Sequence, residues 1–160
     1  MTVVIADTSP INYLILIGEA EVLHRLYQRL VIPEVVFTEL VDVGAPAIVR
    51  NWMRNHPEWL EIRNVPVLSS GLLELDAGEA AAISLAESES DVLLLIDEKA
   101  GRLEATRRGI PNTGTLGVLR KAAIDGVIDL PAALDRLRLS NFRVSKALLA
   151  ELLMEDAERH

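Results

Sequence analysis

Cysteine is absent from this 160-residue chain. That excludes a disulfide framework, a thiolate metal site and a cysteine nucleophile. Histidine is scarce, and His24, His56 and His160 offer no i, i+4 pair of the kind that holds zinc on a helix. No apolar run approaches the ~20 residues of a membrane span, and no basic stretch leads into a short apolar one as in a secretion signal. A soluble cytoplasmic protein without membrane contact is the expectation. No internal repeat or low-complexity linker interrupts the chain, and its length suits one domain around one core, residues 1–160.

Positive charge is also short. The net charge of −8 argues, taken whole, against a nucleic-acid partner. Its distribution argues differently. Residues 1–98 carry 16 acids against 5 Lys and Arg, residues 99–146 carry 4 acids against 10, and residues 147–160 carry 4 acids against 1. The basic segment could meet a phosphodiester while a cation sits among the acids. It could equally be the solvated faces of helices.

What is present is organised around residues 92–102, VLLLIDEKAGR. The run 92–96 has no polar alternation, so it reads as a strand buried on both faces, as in a parallel sheet. It stops at Asp97-Glu98. The N-terminus repeats the pattern: Val3–Ala6 is a second apolar strand, and it stops at Asp7. Ligand crevices in open α/β sheets lie past the carboxyl ends of the strands. Two acids converging on one such edge repel each other, and a divalent cation is the usual remedy.

Strand and helix signals alternate along the whole chain. Ser9-Pro10 predicts an N-cap and first position for a helix over 10–17, stopped by Gly18. Further helices are expected over 19–29, 34–41, 47–55, 80–89, 99–108, 116–123, 131–139 and 145–154. The last two form a C-terminal pair, about 131–156, packed on the rest. Strands are expected over 30–32, 60–67 and 110–113. The class is therefore α/β, a central parallel sheet flanked by helices on both faces.

Each acid also has a plainer explanation. Asp7 could be a turn residue, although Ser9 already fills the cap. Glu39, inside a helix, could simply be solvated. Asp76 and Glu79 have the spacing of a capping box. Asp97 could cap the helix that begins at Glu98, and Glu98 would suit the positive end of that helix.

Five motifs in register decide between these readings. They are Ala6-Asp7-Thr8-Ser9-Pro10; Ile32-Pro33 followed by Val36 and Glu39-Leu40; Leu75-Asp76-x-Gly78-Glu79-Ala80; Leu94-Leu95-Ile96-Asp97-Glu98 with Gly101-Arg102; and Gly114-Thr115-Leu116-Gly117. Asn141-Phe142-Arg143 also fits. Together they resemble the PIN domain over essentially the whole chain. The likeness is nearest to the PIN-like branch carried as a domain of unknown function beside the VapC-type toxins of bacteria and archaea.

That resemblance implies a Mg2+- or Mn2+-dependent endoribonuclease. Asp7, Glu39, Glu79 and Asp97 would be its catalytic, metal-holding acids, and Glu98 an outer acid. Thr8, Ser9 and Thr115 would contact the metal shell or a substrate phosphate, Arg102 is the first candidate for a phosphate contact, and Arg107, Arg108, Arg120 and Lys121 could extend a basic track. RNA is the implied partner. A toxin role would add an antitoxin protein, and Leu148, Leu149, Leu152 and Leu153, at helical spacing, read as core packing but would offer a homodimer or antitoxin surface if exposed. The branch usually reads Asp-Asp where this chain has Asp97-Glu98.

Three alternatives remain. A receiver domain would need a double acid after the first strand, and a haloacid-dehalogenase phosphatase an Asp-x-Asp there. Asp7-Thr8-Ser9 supplies neither. A non-catalytic PIN-like binding module is the third.

Overall fold

Short aliphatic runs build the sheet, because β-branched and aliphatic side chains suit a pleated surface covered on both sides. The computed structural model describes residues Met1–His160. Its strands are β1 (Val3–Ala6), β2 (Leu30–Pro33), β3 (Leu60–Arg63), β4 (Val92–Leu95) and β5 (Asn112–Thr113). They form one parallel sheet in the order β3-β2-β1-β4-β5. The chain moves from β1 outward to β3 and then returns to the other side of β1. The switch point therefore lies between β1 and β4, where ligands gather in such sheets.

The helices are α1 (Thr8–Leu16), α2 (Glu21–Tyr27), α3 (Glu34–Val41), α4 (Ala47–Arg54), α5 (Ala77–Glu87), α6 (Lys99–Arg107), α7 (Thr115–Ile124), α8 (Leu130–Arg138) and α9 (Lys146–Glu158). They split unequally over the two faces. Val4, Ala6, Ile32 and Leu95 point into the larger core with α1 to α4 and α7 to α9. Ile5, Val31, Leu94 and Ile96 point into the smaller one with α5 and α6. The strands alternate between the faces with period two, as pleating requires.

The expected elements all form, with shifted ends. α1 starts at Thr8, so Ser9 lies inside it rather than capping it; the residue before the helix is Asp7, whose side chain makes no cap bond. β3 stops at Arg63 rather than 67, short of Pro66, which has no amide to give a ladder. β5 begins only at Asn112, after Pro111, whose carbonyl accepts from the Leu94 amide at 2.9 Å. α5 starts three residues earlier than the apolar run suggests, because its cap is Asp76. α9 continues to Glu158, with Arg159 just past its end bonded to Glu155 and Asp156. No helix is long and apolar enough to cross a membrane.

In α9 Leu152 is buried, Leu149 and Leu153 pack on the larger core, and Leu148 is exposed. Most of that leucine stripe is core packing.

Candidate functional site

β1 and β4 pair with Ala6 opposite Leu95. That register sets Asp7 opposite Ile96, not opposite Asp97. The Asp7 amide continues the ladder, donating to the Leu95 carbonyl at 2.9 Å. Both acids lie on the carboxyl edge, as expected. Because the register offsets them by one residue, alternation sends their side chains to opposite faces. Asp7 shares the parity of Ile5 and faces α5. Asp97 shares the parity of Leu95 and faces α1 and α7.

On the α5 side the acids crowd together. Asp7 is 4% exposed and Glu79 5%. The capping box forms: the Glu79 amide donates to Asp76 Oδ1 at 2.8 Å, and the Asp76 amide donates to Glu79 Oε1 at 3.3 Å. This uses one oxygen of Glu79. The other, Oε2, is buried without a partner, and so is Asp7 Oδ1. Orphaned buried acceptors are uncommon and need an explanation. Burial pushes the Asp7 carboxyl up from 3.8 to about 7, with Asp76, Glu79 and Glu39 adding repulsion. The Glu79 carboxyl is likewise raised, by burial first and then by Asp76, Glu98 and Glu39.

Gly78 makes this crowding possible. A Cβ there would stand 2.8 Å from Asp7 Oδ1 and 3.1 Å from Glu39 Oε1. Glu39 itself is exposed and accepts from the Thr8 hydroxyl at 2.6 Å.

On the α7 side Asp97 accepts three hydrogen bonds, one short of the four a carboxylate can take. Its Oδ1 accepts from the Thr115 amide at 2.6 Å, and its Oδ2 from the Thr115 and Ser9 hydroxyls at 2.7 Å each. Asp97 thus anchors the start of α7, where exposed amides favour an anion. It does not cap α6, whose preceding residue is Glu98 with no side-chain cap bond. A Cβ at Gly114 would be 2.5 Å from Asp97 Oδ1, so glycine is needed for this approach. Thr115 is 0% exposed and its donor is spent on Asp97, which leaves no route to a phosphate. Thr8 and Ser9, adjacent in α1, tie the two halves together, one bonded to Glu39 and the other to Asp97.

The donor set is all oxygen, which suits a hard divalent cation. The two orphaned oxygens fit one as well. No three acids or histidines close around a single point, however. The four-acid shell expected from the sequence is therefore divided: Asp7, Glu79 and Glu39 surround Gly78, and Asp97 stands apart. Glu98 is exposed beside Asp97.

The basic track also changes. Arg107 and Arg108 pair with Glu104, Arg120 with Glu155, and Lys121 with Asp125. Such surface pairs add little stability, but they neutralise the charge a polyanion would seek. Arg102 is exposed, makes no ion pair, and lines a cavity with Asp97. Gly78 and Arg143 stand in the sequence motifs without a role at the site, and Tyr13 stands in none. The signal for Gly78 was available in its place beside Glu79 in the motif. Nothing in the sequence linked Tyr13 to residues 141–143.

A family model described as DUF3368, PIN domain, matches residues 3–158 of the chain. No curated protein matches it.

Proposed function

The chain belongs to the PIN-domain family, and from that premise we propose that it is a nuclease that hydrolyses RNA phosphodiesters with Mg2+ or Mn2+. One observation carries the reading: Asp7 Oδ1 and Glu79 Oε2 are buried acceptors without donors, next to Glu39, at the switch point of a parallel sheet. Buried carboxylates raised in this way cluster at functional sites. Asp7 and Glu79 would hold the ion, with Glu39 exchanging its Thr8 bond to reach it. When bound, the ion supplies positive charge for the phosphate and a water of lowered pKa. Asp97 fixes α7 and Ser9 beside the site. Arg102 offers a guanidinium to the substrate backbone.

The test is cleavage of a 5′-labelled single-stranded RNA by the wild type and by Asp7→Asn, with Mn2+, with Mg2+ and with chelator. Wild-type cleavage that needs the metal, and none by Asp7→Asn, is expected. Equal cleavage by both would mean the site is misassigned. Growth arrest on expressing the wild type but not Asp7→Asn would extend the reading to a toxin, with an antitoxin protein as partner. The use of Asp97 as the anchor of α7 and Ser9 favours a second reading, a non-catalytic binding module. Mn2+ binding without cleavage under any condition would select it.

A further inference from the structure

Two adjoining cavities open beside Asp97. The first, about 340 Å³, is lined by Ser9, Tyr13, Glu98, Asn141, Phe142 and Arg143 along with Asp97. The second, about 310 Å³, contains Arg102 on its far side. Asp97, Phe142 and Arg143 line both, so they make one continuous surface.

The charges there are unusual for this molecule. Six of the basic residues between 99 and 146 are matched to carboxylates: Arg107, Arg108, Arg120, Lys121, Arg136 and Arg138. Arg102 and Arg143 have no carboxylate within ion-pair distance and flank Asp97. In a chain of net charge −8, two guanidiniums without a paired carboxylate line this surface together with Asp97 and Glu98, and they offer an anion a local attraction on an otherwise acidic molecule. A guanidinium fork suits phosphate in particular.

The aromatic side of the surface is already ordered. Tyr13 donates its hydroxyl to Asn141 Oδ1 at 2.7 Å, which ties the 141–143 segment to α1. The Tyr13 and Phe142 rings meet edge to face, with centroids 4.9 Å apart. Both remain half-buried at the cavity wall. A ring held in place by its neighbours loses little entropy when a base stacks on it.

We propose that Arg143 and Phe142, with Arg102, form the subsite for a nucleotide of single-stranded RNA beside the acid site. Its phosphate lies on the two guanidiniums and its base on the Phe142 ring. This rests on the nuclease reading for its choice of ligand. Arg143 is a binding residue, and its loss acts on substrate affinity rather than on the metal.

The experiment uses full-length Asp7→Asn protein without divalent cation, so that cleavage does not intervene. Binding of a labelled mixed-sequence single-stranded RNA is followed by fluorescence anisotropy across a salt series. Adding Arg143→Ala should weaken binding about tenfold, the loss of one charge-assisted contact, and lower the salt slope by roughly 1. Adding Phe142→Ala should weaken binding at least about fivefold and leave the slope unchanged. In the wild-type background Arg143→Ala should keep the circular dichroism spectrum and the Mn2+ affinity measured by calorimetry.

Unchanged RNA affinity and slope in Arg143→Ala overturn the proposal. So does displacement of the RNA by a poly-glutamate peptide of equal length at equal concentration, which would mark an acidic protein surface as the ligand. A protein that binds RNA through Arg143 yet never cleaves it would sink the nuclease reading and leave the subsite standing.

Discussion

Asp7→Asn should stabilise the metal-free protein, and more so as pH rises. Burial moves the Asp7 carboxyl from 3.8 to about 7. The folded state therefore holds its proton between those values while the unfolded state has released it. Stability falls as pH rises wherever the folded state binds more protons. Each pKa unit is worth about 1.4 kcal/mol, so the carboxylate costs about 4 kcal/mol above pH 7. At pH 5 the unfolded chain has passed its own pKa by only about one unit, and the cost is about 2 kcal/mol. Asparagine carries no charge and feels neither. The advantage of Asp7→Asn over the wild type should therefore grow by about 2–3 kcal/mol between pH 5 and pH 8, or roughly 5–10 °C in Tm for a domain of this size. Glu79, also raised by burial, gives the wild type and the variant a shared slope of the same sign. Urea unfolding at pH 5, 6, 7 and 8 in chelator measures the difference directly. Parallel stability–pH curves for the two proteins would refute the claim that Asp7 is a strained buried carboxylate. Mn2+ at pH 8 should then raise wild-type stability through preferential binding to the folded state and leave Asp7→Asn unmoved.

Two further substitutions separate architecture from chemistry at the same place. Glu79→Gln keeps a side chain able to complete the capping box, so it should hold or raise stability by up to about 1 kcal/mol while abolishing Mn2+ binding in calorimetry. Retained Mn2+ affinity would reduce Glu79 to a cap. Gly78→Ala brings a Cβ against Asp7 and Glu39. It should cost about 1–3 kcal/mol in chemical unfolding and at least tenfold in Mn2+ affinity, despite the better helix propensity of alanine. A more stable variant with full affinity would show that the acids are free to move apart.

The strands were legible because each is a short apolar run with a hard stop. The same reading misplaced the start of α1. Ser9-Pro10 has the form of an N-cap and first position, but the helix begins two residues before Pro10, and Ser9 spends its hydroxyl on Asp97. Local propensity cannot see a partner 88 residues away. Asp76-Ala77-Gly78-Glu79 has the spacing of a capping box, and the box forms. The orphaned second oxygen of Glu79 depends on its burial in the folded chain, which no local pattern encodes. A count of basic residues overstates the available charge, since ion pairs within and between helices occupy six of the ten between 99 and 146 and leave Lys99, Arg102, Arg143 and Lys146.

By itself, the sequence determined the α/β class, the parallel sheet, the acids at the ends of β1 and β4, and the family. These follow from hydrophobic runs, their period and their punctuation, all of which are local. The tertiary structure alone decided which acids meet. Pairing Ala6 with Leu95 offsets Asp7 from Asp97 by one residue, and the two-residue period of a strand turns that offset into opposite faces. Register is a relation between strands distant in the chain, and no single run encodes it.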